Sequence, residues 1–88
     1  MTVEGDLLFV ATRFATPFTK EDLVVAAWRA FPLSFGLEGY PHLPDSNRVY
    51  PKISVLCDKG FLVRIDEGLL EVTEPIRRLA SQIELSKG

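Results

Sequence analysis

Cysteine is nearly missing: Cys57 stands alone among 88 residues. One cysteine cannot close an internal disulfide, so a hydrophobic core must hold the chain together, and a reducing, cytoplasmic setting is expected. Histidine is as scarce, with His42 the single example. Without His, Cys, Asp and Glu grouped at ligand spacing, the sequence offers no metal site and calls for no cofactor. No Cys–His or Ser–His–Asp arrangement is legible, which argues against an enzyme and leaves no catalytic residue to name. No apolar run approaches the ~20 residues that cross a bilayer, and no basic-then-apolar leader opens the chain, so a soluble protein without a membrane partner is expected. Internal repeats and Gly/Ser-rich linkers are lacking, as is a basic excess. Ten Lys and Arg stand against twelve Asp and Glu, whereas a dedicated nucleic-acid binder usually carries a basic footprint.

What is present is enough for one small domain over residues 1–88. A hydrophobic content of 47% argues against disorder, and a chain of this length buries roughly 60% of its unfolded surface. The charge is unevenly spread. Residues 45–64 hold Arg48, Lys52, Lys59 and Arg64 against only Asp45 and Asp58, a locally basic stretch in an acidic chain.

A first helix is expected over 6–14, with Asp6 as its N-cap and Leu7, Val10, Ala11 and Phe14 on one face. Phe9 falls nearly opposite that face, as a contact point for a second chain or as ordinary scattered surface. Thr16-Pro17-Phe18 breaks the helix; such an extended piece can add a third strand to a sheet, with Phe18 inward. Thr19 then caps a second helix over 20–31, and Asp22 sits at the capping-box position, where its shorter reach predicts a partial box. Leu23, Val24, Ala26, Ala27, Trp28, Ala30 and Phe31 make this helix apolar on most sides, so a central, buried position is expected, with Trp28 in the core. Pro32 ends it. Residues 32–46, with Gly36, Gly39, Pro41 and Pro44, read as a loop that is long for a helix-to-helix connection. Phe35, Leu37, Tyr40 and Leu43 require part of it to pack down, and His42 reads as a surface or loop-packing residue.

A third helix is expected over 47–59. Asp45, Ser46 and Asn47 are all suitable caps, while Pro51 must fall in the first turn, which demands a late start or a 3₁₀-like opening. Gly60 supplies the stop. Val49, Ile53 and Leu56 form the buried stripe, with Cys57 at its border. The opposite side carries Asn47, Arg48, Pro51, Ser54, Val55 and Asp58, flanked by Lys52 and Lys59. In a major groove, Arg48 or Lys52 suits a phosphate or a guanine edge, Asn47 an adenine edge or a phosphate, and Val55 a thymine methyl. The same face reads equally as a solvated surface of mixed charge.

A hairpin follows over 61–73, with Phe61, Val63 and Ile65 expected inward, Arg64 outward, and Asp66-Glu67-Gly68 as a three-residue loop. On the return, Leu70 and Val72 point inward and Glu71 outward. Leu62 and Leu69 then form an outward pair open to a partner. The tip is acidic, where a tip that grips phosphate usually carries Arg or Lys. Thr73 caps a last helix over 74–84, with Glu74 and Pro75 in its first turn. Ile76, Leu79, Ala80 and Ile83 form its apolar stripe, and Arg77 and Arg78 lie beside it, open to phosphate, Glu71 or a partner.

The cap at Thr19, the stripe Val49/Ile53/Leu56, the run DKGFLVRIDEGLLEVT and the closing TEPIRRLA together resemble the winged helix-turn-helix superfamily across essentially the whole chain. The run from helix through glycine, aromatic, hairpin and threonine to helix is similar to the wing region of small prokaryotic regulators. YPHLPDSNRVYPKI also looks like a loop and helix found in prokaryotic proteins of this kind. The resemblance implies an α+β fold: a three-helix core, a two- or three-stranded β wing and a C-terminal helix. It also implies DNA binding through the third helix, in transcriptional regulation or another DNA-associated role, with Asn47, Arg48, Lys52, Ser54, Val55 and Lys59 as the contact candidates and a homodimer through the first or last helix. The net acidity, the long loop and the Asp66-Glu67 tip depart from that pattern. They point to the alternative, a winged helix that serves as a protein-protein interaction or dimerisation module without touching DNA, through Phe9, Leu62, Leu69, Arg77 or Arg78.

Overall fold

The computed structural model describes residues 2–15 and 17–79. Its first helix, α1 (Val3–Thr12), begins three residues before the expected start. Thr2 is the cap: its Oγ1 accepts the Gly5 N–H at 2.9 Å. Both Thr2 and Asp6 are capping residues, and the earlier start places Glu4 and Asp6 inside the first turns, where the helix dipole favours carboxylates. Asp6 is therefore buried within the helix rather than capping it, and its Oδ1 has no hydrogen-bond partner among the described residues. Leu7, Val10 and Ala11 face the core as expected. Phe14 lies beyond the helix and stacks on Phe18 with ring centroids 4.6 Å apart.

The extended piece forms β1 (Phe18–Thr19), with Phe18 almost wholly buried. Thr19 then caps α2 (Lys20–Ala30) through a complete box. The Asp22 N–H donates to Thr19 Oγ1 at 3.0 Å, and the Thr19 N–H donates to Asp22 Oδ2 at 3.1 Å. An aspartate reaches after all. Burial of α2 is one-sided: Leu23, Val24 and Ala27 are buried, while Val25, Arg29 and Ala30 are exposed. A domain this small has a single core to offer each helix. Trp28 is half-buried at the border and donates its indole N–H to the Pro41 carbonyl at 2.8 Å, which ties α2 to the segment beyond it.

That segment is not a structureless loop. It forms α3 (Pro32–Phe35), β2 (Gly36–Leu37), β3 (Tyr40–Pro44) and a 3₁₀ turn, Ser46–Arg48. Pro32 ends α2 and also opens α3, at a position where a missing N–H costs nothing. β2 and β3 pair antiparallel around Gly36, where a Cβ would meet the Pro32 carbonyl oxygen at 2.5 Å and the Pro41 Cα at 2.8 Å. Only glycine admits so close a crossing. Phe35 fills the core beneath, with no exposure.

The expected third helix is thus α4 (Tyr50–Asp58), entered through the 3₁₀ turn that Pro51 demands. Asp45 caps that turn, its Oδ1 accepting the Asn47 N–H at 3.0 Å. Val49, Ile53 and Leu56 are all buried, as their spacing predicts. Gly60, at φ 80°, turns the chain into the hairpin of β4 (Leu62–Asp66) and β5 (Leu69–Val72).

The hairpin corrects the expected phase of β4. Cross-strand pairs are Leu62 with Val72 and Arg64 with Leu70. Directly opposed residues share a face, so Leu62 joins Leu70 and Val72 in the core. Val63 and Ile65 are 41% and 46% exposed, against 2% for Leu62. Leu62 is therefore a core residue and not a partner contact. The register shifts between Arg64 and Asp66, so Asp66 pairs with Leu69 and the turn itself is Glu67-Gly68, with Gly68 at φ 78°. β1 lies on the free edge of β5, with Phe18 opposite Leu70, which gives an antiparallel sheet in the order β1-β5-β4.

Residues 74–79 are helical (α5). Thr73 precedes this helix, but its hydroxyl donates to the Gly60 and Phe61 carbonyls at 2.9 and 3.3 Å, closing the base of the hairpin. Ile76 packs on the core and Leu79 is exposed; Ala80 and Ile83 lie outside the described residues. The described chain is α+β, with helices packed on a small antiparallel sheet, and no helix is long and apolar enough to cross a membrane.

Candidate nucleic-acid interface

The two sides of α4 differ. Lys52 and Lys59 are two helical turns apart on one side, which faces the first turn of α1. Glu4 takes both: Lys52 Nζ lies 3.4 Å from Oε1 and Lys59 Nζ 2.9 Å from Oε2. The Lys59 hydrogen bond, reinforced by its charge and by Lys52, holds the Glu4 carboxyl below the usual carboxylate range. Each lysine that the sequence offers to phosphate is thereby shared with an internal carboxylate.

Arg48 is likewise engaged. Its Nε lies 3.5 Å from Asp45 Oδ2, and its Nη1 donates to the Leu33 and Ser34 carbonyls at 3.5 and 3.3 Å. These bonds satisfy carbonyls of the short helix α3 and bind it to the 3₁₀ turn. Pro51, Ser54 and Asp58 form the exposed strip of α4, with Asn47 exposed in the 3₁₀ turn before it and Val55 half-buried at its edge.

On the other side, α4 and the hairpin enclose a cleft of about 230 Å³. Tyr50, Ile53 and Ser54 line it from α4, Arg64 from β4, Gly68 from the hairpin turn, Leu69 and Leu70 from β5, and Lys20 from the start of α2. Lys20 Nζ sits 4.8 Å from the centre of the Tyr50 ring, a cation–π distance. Neither Lys20 nor Arg64 makes an ion pair among the described residues. Arg64 shares the inward face of the sheet with Leu70, yet lies beyond the edge of the core and is exposed. Two cationic and two hydroxyl-bearing side chains therefore line one cleft together with apolar residues, a set of donors suited to phosphate oxygens.

Lys20 and Tyr50 do not stand out in the sequence as phosphate ligands, and alternation along β4 turns Arg64 the other way. The strand order carries the missing signal: β1 beside β5 brings Lys20, the next residue, to the same end of the sheet as Arg64. Of the residues expected to meet a partner, Phe9 is 52% exposed and lies under the Arg13 guanidinium at 5.9 Å. Leu69 lines the cleft. Arg77 donates to the Phe14 carbonyl at 3.1 Å and Arg78 to Glu74 at 3.3 Å. The tip residues Asp66 and Glu67 are exposed, and Cys57 is a half-buried free thiol. Compared with protein-family models, with curated proteins and with solved structures, the chain finds no match.

Proposed function

We propose that the chain is a winged-helix domain that binds duplex DNA, with β4 and β5 as its wing, in transcriptional regulation or another DNA-associated role. The exposed strip of α4 and the 3₁₀ turn before it face the major groove, where Asn47, Ser54 and Val55 reach base edges. The adjoining cleft seats the sugar–phosphate backbone. The observation that carries this reading is the pair Lys20 and Arg64, two cations without a carboxylate partner among the described residues, which line one cleft with Tyr50 and Ser54. Lys52 and Lys59 contribute less, because Glu4 already holds them. The cleft reaches the hairpin turn at Gly68, so the acidic tip residues Asp66 and Glu67 border it and restrict the grip to the Lys20 and Arg64 side chains.

A salt titration of binding to duplex DNA tests the proposal, since phosphate contacts release counterions and make affinity fall steeply with salt. Binding that is absent at low salt would end it. A protein-docking role without DNA draws on one specific observation: Val63 and Ile65 are exposed side by side with the acidic tip. Under that reading, Ile65→Asp abolishes capture of the partner while the chain ignores DNA.

A further inference from the structure

We infer that the exposed face of α2 is a self-complementary surface on which a second copy of this chain docks antiparallel. Between α1 and α2 runs an open groove lined by Phe9, Val10, Arg13 and Phe14 on one side and by Ala26 and Ala30 of α2 on the other. It continues along α2 past Val25 to Asp22 and Arg29. Val25 is 38% and Phe9 52% exposed. Asp22, Val25, Ala26 and Arg29 share the side of α2 opposite its buried residues Leu23, Val24 and Ala27.

The charges on this stripe choose the occupant. Asp22 and Arg29 are two helical turns apart, about 10 Å along the axis, and Val25 and Ala26 lie midway between them. A two-fold axis at that midpoint runs two copies of α2 antiparallel and sets Asp22 of each copy opposite Arg29 of the other. An isologous contact requires this kind of self-matching. Arg29 has no ion pair among the described residues. Asp22 spends Oδ2 on the Thr19 N–H, which leaves Oδ1 for a cation. Ala26 and Ala30 are small enough for the two helices to approach closely, at the short end of the usual separation of about 8–10 Å. The surface shares no residue with the α4 cleft, so the inference stands independently of the DNA reading.

A contact built on one helix pair is small, so the dimer is weak and reversible, and sedimentation equilibrium of the full chain over a range of concentrations reads it. The wild type rises from monomer mass towards twice that mass. Arg29→Asp and Asp22→Arg each stay monomeric alone, because each makes the stripe a single sign. A mixture of the two regains the dimer mass, since one copy is then wholly basic and the other wholly acidic. Asp22→Arg also removes half of the capping box, so circular dichroism first confirms that it is folded. Val25→Lys, which leaves the cap intact, gives the same loss of dimer if Asp22→Arg does not fold. A wild type that stays monomeric, a folded Arg29→Asp or Val25→Lys chain that still dimerises, or a mixture of folded variants that does not associate would overturn the inference.

Discussion

The two flanks of α4 carry the same kind of charge and put it to different uses. On the α1 side, Lys52 and Lys59 close on Glu4 at 3.4 and 2.9 Å. On the hairpin side, Lys20 and Arg64 have no carboxylate partner among the described residues and open onto a cleft with Tyr50 and Ser54. The basic stretch visible in residues 45–64 is therefore largely spent inside the molecule. The charge left for a ligand includes a lysine from outside that stretch. What matters for binding is the charge that remains after the fold has paired its own.

The largest expected effect tests the sheet face that forms the cleft. Leu62→Ala should cost about 2–5 kcal/mol in chemical denaturation, as a buried leucine does, whereas Val63→Ala should stay within about 0.5 kcal/mol. Equal effects would mean that the strand face pointing at α4 is misassigned, and Arg64 with it. Next, Arg48→Ala should lower stability by about 1 kcal/mol by removing its hydrogen bonds to the α3 carbonyls, while changing DNA affinity little. A large loss of affinity at unchanged stability would return Arg48 to the interface. Glu4→Gln should act the other way on binding: with its carboxylate gone, Lys52 and Lys59 become available and DNA affinity at low salt should rise. No change would mean that the α1 flank lies away from DNA.

The smallest effect is the pH dependence of the Glu4 cluster. Because the folded-state pKa of Glu4 is depressed, chiefly by Lys59, its contribution is present above the ordinary carboxylate pKa and is lost as pH falls through the lower folded value. The wild type should therefore melt slightly higher than Glu4→Gln at neutral pH, and the two should converge in acid. The cluster lies at the surface, with all three side chains partly open to solvent, so the difference is small and shrinks with salt.

Much of the fold is legible in the sequence because its signals are local. The Thr19 cap, the Val49/Ile53/Leu56 stripe and the Gly60 stop each lie within one helix length, and all appear in the structure. Expectation and structure part where two local solutions compete. Thr2 and Asp6 both cap well, and only the wider packing selects Thr2. β4 is apolar on both faces, so alternation cannot choose between Leu62 and Val63; pairing with Val72 does. The fold of residues 32–46 depends on a backbone crossing at Gly36 that no periodicity announces. The candidate site is the least legible part. The engagement of Lys52, Lys59 and Arg48 rests on partners 48, 55 and 14 residues away along the chain, and Lys20 reaches the cleft only because β1 joins the edge of β5.

The central claim, that the hairpin flank meets phosphate more than the α1 flank does, is tested most directly by salt titrations of two double variants on one duplex. Lys20→Ala/Arg64→Ala should weaken binding across sequences and reduce the slope of log affinity against log salt by about 2, one for each phosphate that is no longer neutralised. Lys52→Ala/Lys59→Ala should reduce it by clearly less. A slope unmoved by the first pair but reduced by the second, or a wild type that does not bind duplex DNA at low salt, would contradict the account.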